Sequence, residues 1–107
     1  MLVPKQSSDG LDALQKRFLD LCHESEALGR VGAGENWLST AHKADHLAKE
    51  AVQAKDKVLA AKCWHIASNI ALAHGKWDLA IEFVGKALEA HQYPALEWQM
   101  KLCKGEA

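Results

Sequence analysis

Residues 61–94 read AKCWHIASNIALAHGKWDLAIEFVGKALEAHQYP. Apolar residues recur at helical spacing on both sides of Gly75: Cys63, Ile66, Ala67 and Ile70 before it, Ala80, Ile81, Val84, Ala87 and Leu88 after it. Gly75 fits the position just past a helix end, where a positive φ is wanted. Lys76–Trp77–Asp78 reads as the turn, and Pro94 suits the first turn of a further helix. The segment is therefore expected to be a helical hairpin with another helix behind it. Trp64 and Trp98 lie 34 residues apart, and Ala61 and Ala95 share that spacing.

Working outward, Val58 and Leu59 extend the apolar side of the first hairpin helix, and Asp56 stands where a boundary or cap is needed. Upstream, Trp37, Ala41, Ala44, Ala48 and Ala51 form the stripe of another helix, with Asn36 as its cap. Leu11, Leu14, Phe18, Leu21 and Leu28 predict a first helix, capped by Asp9 and closed by Gly29, Gly32 and Gly34. GRVGAG lacks the Lys-Ser/Thr of a phosphate loop and reads as a connection. After Pro94 come Leu96, Trp98, Leu102 and Cys103. Residues 1–8 read as a flexible leader and 9–107 as one helical domain. About five helices are expected, with short links that make neighbours antiparallel.

Composition agrees. A 107-residue chain of 11.8 kDa makes one small domain. Hydrophobic residues are 49% and charged residues 25%, which excludes a disordered tail. Eighteen alanines, two prolines and few β-branched residues favour helix over sheet. A net charge of −1 gives no ground for nucleic-acid or membrane-surface binding. No apolar run approaches a bilayer span, and the N-terminus has no signal-peptide core. Cys22, Cys63 and Cys103 form no CxxC, so they read as reduced thiols in a cytoplasmic protein.

The 34-residue spacing, Trp64, the small residues Ala67, Ser68 and Ala71, the Gly75 turn, Trp77, and the seven-apart Ala80 and Ala87 resemble a tetratricopeptide (TPR) repeat. Ala67 stands where the family has leucine, and the closing proline comes two residues late, as Pro94. Phe18, Leu21 and Cys22, followed by Ala44 and Ala51, resemble a more divergent earlier unit. The resemblance implies all-α architecture: antiparallel hairpins stacked as a short TPR-like superhelix. A plain helical bundle is the alternative. It also implies core roles for Trp64 and Trp77, and a partial third unit, with an open end that the fifth helix, a second copy or a larger partner could cover.

The resemblance further implies a concave groove lined by Lys62, His65, Asn69 and Leu72. Lys62 and Asn69 match residue types of the family's carboxylate clamp, and the upstream helix adds Lys16, Leu19, His23 and Glu26. No acidic residue occurs from Lys57 to Trp77. His65 is expected near the ordinary pKa of about 6.5, which would tighten anion binding at lower pH. Trp37 and Trp98 are candidate interface aromatics.

His42 and His46 stand one turn apart, a spacing that two metal ligands can use. They offer only two ligands and point away from the alanine stripe, so a surface helix is the better reading and no cofactor is expected. Cys22–His23 and Cys63–Trp64–His65 cannot form thiol–imidazole contacts within a helix, because adjacent residues point about 100° apart. The expectation is a non-catalytic adaptor that binds a protein segment. Alternatives are a metal- or thiol-responsive helical protein, or a structural subunit of a larger regulatory assembly.

Overall fold

The computed structural model describes residues 6–31 and 36–105. The described residues form helices α1 (Gln6–Val31), α2 (Asn36–Gln53), α3 (Lys57–Ala73), α4 (Trp77–Ala90) and α5 (Pro94–Lys104), with no strand among them. The protein is all-α, as expected.

The punctuation has local causes. Asp56 caps α3 by accepting the Leu59 N–H at 3.1 Å. At the end of α3, the Lys76 N–H reaches the Ala71 carbonyl and the Gly75 N–H reaches that of Leu72, with Gly75 at φ 72°. That pair of bonds is the Schellman closure. The α2–α3 turn repeats it: Asp56 N–H to Ala51 carbonyl and Lys55 N–H to Val52 carbonyl. Here Lys55, not glycine, occupies the left-handed position, at φ 66°. Pro94 opens α5, where its missing N–H costs nothing.

Pairwise contacts fix the directions. Trp37 at the start of α2 stacks on His74 at the end of α3, with ring centroids 5.0 Å apart. Asp45 and Trp64 meet near the helix middles. These two helices are therefore antiparallel. So are α1 and α2, because Arg17 reaches Glu50 while Glu24 reaches Lys43. In contrast, His65 meets Tyr93 and Ser68 meets Gln99, so α3 and α5 run parallel. The extents are 54 × 30 × 17 Å. Packed helix axes lie about 8–10 Å apart, so the thinnest dimension holds two helix layers.

The core is largely alanine. Ala41, Ala44, Ala48 and Ala51 of α2, Ala60, Ala61, Ala67 and Ala71 of α3, and Ala80 and Ala87 of α4 are all fully buried. Leu47, Leu59, Ile70, Phe83, Val84 and Leu96 supply the bulk between them. Leu14 and Leu21, with half-buried Phe18, join α1 to this core.

Four expectations are corrected. First, α1 starts at Gln6, so Asp9 lies inside it and does not cap it, and residues 6–8 are helix, not leader. Second, the helix runs through Gly29 to Val31, while Gly32 and Gly34 fall outside the described residues. Third, Val58 is 41% exposed: five residues before Cys63, it lies about 140° round the helix from it. Fourth, Trp77 is exposed at the first position of α4 and has no core role.

Two stability changes follow. Ala80→Leu forces a large side chain into a fully closed contact and should cost about 1–3 kcal/mol in urea unfolding. Lys55→Gly relieves a left-handed backbone that costs an L-residue about 1 kcal/mol, and should raise the unfolding midpoint.

Candidate functional site

Lys62, His65, Asn69 and Leu72 share one face of α3, because their spacing follows the helical turn. Lys62 and Asn69 are exposed, and His65 and Leu72 are half-buried. Part of this face already has partners from the chain end. His65 Nδ1 lies 3.0 Å from the Tyr93 hydroxyl, with the two rings tilted 5.9 Å apart. The Gln99 amide donates to the Asn69 side-chain oxygen and to Ser68 Oγ. Ser68 spends its own proton on the His65 carbonyl at 2.7 Å, leaving its oxygen free to accept. The Gln99 amide and Ser68 hydroxyl donors are both matched. Ser68 and Gln99 are buried, yet no buried side-chain N or O atom among the described residues lacks a partner.

The expected pH behaviour of His65 is corrected by this packing. Burial lowers its pKa below the ordinary value, so it stays neutral where an exposed histidine begins to charge. Lys62 is left as the exposed cation of the face.

The candidate aromatics separate. Trp37 is half-buried against His74 and lines a groove of about 330 Å³ with Gly75, Lys76, Trp77, Asp78 and Leu79. Trp98 is 56% exposed, and Leu102 one turn later is also exposed. Trp98 thus differs from Trp64, which is only 7% exposed despite the 34-residue match. Residues of α2 and α4 flank Trp64, whereas α5 is the last described helix.

His42 and His46 are exposed on α2, and His46 Nε2 faces Glu50 at 3.3 Å. Glu50 is also held by a two-pronged bond from Arg17, at 2.9 and 2.6 Å. That guanidinium, more than any other group, holds the Glu50 carboxyl below its usual range. Among the described residues no three His, Cys, Asp or Glu side chains converge as a metal site would need. Cys22, Cys63 and Cys103 are free thiols. Burial raises all three, Cys63 to about 12, and so favours the unreactive protonated form.

Asp45 is the connection that sequence reasoning missed. In sequence it lies between His42 and His46. In the structure its Oδ1 accepts the Trp64 indole N–H at 2.8 Å and lies 3.4 Å from Lys86 Nζ, while Oδ2 meets Lys49 at 3.2 Å. One carboxylate therefore ties α2, α3 and α4. Lys49, four residues on, was the available signal. The partners across helices were not visible, because Trp64 and Lys86 are distant in sequence. Burial pushes the Asp45 carboxyl up, but the indole donor and the two lysines outweigh it and hold it below its usual value.

The pH consequence has a definite sign. A carboxyl with a lowered folded pKa stabilises the protein above its unfolded pKa of about 3.9, and that contribution disappears as pH falls through the folded value. Trp64→Phe keeps the ring but removes the donor. Carboxyl-carbon NMR should show the Asp45 midpoint rise in this variant, and its urea stability should fall less on acidification than the parent's. An unmoved midpoint would assign the shift to the lysines alone.

Compared with known protein families, curated proteins and solved structures, the chain matches none.

Proposed function

We propose that this chain is a non-catalytic, TPR-like module that binds a protein segment along the outward face of α3. The observation that carries the reading is the layer order. Parallel α3 and α5, with antiparallel α2 between α1 and α3, is the alternation that stacked helical hairpins produce. The two-layer thickness is compatible with such a stack.

Lys62 supplies the charge on this face, Leu72 an apolar contact, and the Asn69 amide a group able to bond a peptide backbone. With no acidic residue between Lys57 and Trp77, the face favours an acidic or carboxylate-ended segment. Trp98 and Leu102 give a second surface at the end of the stack, suited to a further copy or a larger partner. No helix among the described residues is long and apolar enough to cross a membrane. Three free thiols support a reducing compartment such as the cytoplasm.

Titration of acidic peptides with free C-termini, followed by amide NMR, tests the reading. Shifts should centre on Lys62, Asn69 and Leu72. Lys62→Glu should weaken binding about two- to fivefold at low salt, the size of one exposed charge pair. Equal binding by that variant would remove the α3 face in favour of the end surface around Trp98.

A further inference from the structure

A second face of α3 carries a different chemistry. Trp64 follows Lys62 by two residues and so points about 200° round the helix from it. There, between α2, α3 and α4, lies a groove of about 420 Å³. Trp64, Val52 and Ala90 make its apolar lining, and Lys49, Lys57, Lys86 and Glu89 surround them. We propose that this groove binds a small amphipathic carboxylate, an aromatic or medium-chain acid, with its apolar body over Trp64 and its carboxylate among the lysines.

Charge selects the occupant. Three ammonium groups face one rim carboxylate, Glu89, and the Asp45 carboxylate behind the rim. The local balance stays positive by one. Lys49 and Lys86 are held by Asp45, at 3.2 and 3.4 Å, and their aliphatic stems extend the apolar wall. Lys57 makes no ion pair among the described residues, leaving it free for a ligand. The Trp64 N–H is already bound to Asp45, so the small part of the indole that reaches the groove is apolar and makes no polar demand. The volume lies in the range of small-molecule sites, and an apolar lining with a few placed charges is their usual build. A neutral apolar molecule would leave the lysines unused, and a cation would be repelled.

The test titrates the whole chain with 2-naphthoate and with decanoate, using 2-naphthylmethanol as the neutral control and amide and indole NMR as readout. Saturable shifts should centre on Val52, the Trp64 indole, Lys86 and Ala90, with the alcohol binding several-fold more weakly. Lys57→Glu changes an exposed first-turn residue where an acid suits the helix dipole, so the fold should persist. It should raise Kd about two- to fivefold. Val52→Glu, at an exposed position in the lining, should abolish the shifts. The proposal is overturned by an absence of saturable shifts, by shifts centred on Trp37 and Trp77, by equal binding of the alcohol, or by indifference to Lys57→Glu. It is equally overturned if the same signals move with protein concentration alone, which would make the groove a contact between copies. An unstructured acidic peptide that shifts these residues when naphthoate does not would also overturn it.

Discussion

Alanine at the contacts sets how closely α2, α3 and α4 approach. Ten alanines on these three helices have no exposed surface, and among the largest fully enclosed side chains only Leu96 and Val84 are aliphatic. A core of this kind gains less from transferring large side chains out of water than one built on leucine. It gains instead from many short-range contacts between backbones and methyl groups, each worth only about 0.1–0.2 kcal/mol but numerous at close range. Those contacts vanish quickly with separation. The small residues are therefore a geometric condition for everything placed on the helices, including the Asp45–Trp64 bond and the Ser68–Gln99 joint.

The two polar joints differ in kind. Asp45 keeps a charge beside the core, with its side chain 20% exposed, and meets it with an indole and two ammonium groups from three helices. The Ser68–Gln99–Asn69 joint is neutral and buried at its centre. Leaving either with a missing partner would cost more than its formation contributes, so both act chiefly to fix which residues face each other. Attachment of α1 follows another rule. Its pairs Arg17–Glu50 and Lys43–Glu24 are exposed, and such pairs are worth roughly 0–1 kcal/mol. Burial of Leu14 and Leu21 is worth roughly 1.5–3 kcal/mol each, so packing holds this helix and the ion pairs set its register.

The hairpin around Gly75, the cap at Asp56, the start of α5 at Pro94 and the alanine stripe of α2 were all legible in the sequence. Each depends on residues within about one helical turn of one another. The start of α1 was misplaced because Asp9 can cap a helix or sit within its first turns, and local chemistry does not choose between these. Trp77 and Trp98 were harder for a different reason. Burial of a large aromatic depends on which helix lies beside it, and that is a property of the stack. Trp64 and Trp98 match in register, but only Trp64 has α2 and α4 beside it. At the α3 face, the TPR resemblance named Lys62, His65, Asn69 and Leu72, and helical spacing puts these four on one side of the helix. Their partners Tyr93 and Gln99 were not legible, because no local pattern announces a contact made some thirty residues away.

Those partners change what the α3 face can offer. Along one helix, His65 is turned toward Tyr93 and kept neutral by burial, while the Asn69 oxygen is engaged by Gln99. The Asn69 amide hydrogens and the Lys62 ammonium remain outward as donors, and Leu72 remains partly accessible. A ligand on this face therefore meets donors at two places along the helix and finds no histidine charge between them near neutral pH. That arrangement favours acceptors spaced along an extended backbone over a single compact anion. The groove at Trp64 has the opposite construction, with cations gathered round one apolar lining, and favours a compact amphipathic anion. Two faces of one helix, separated by about half a turn, thus present different chemistry because different neighbouring helices supply their polar partners.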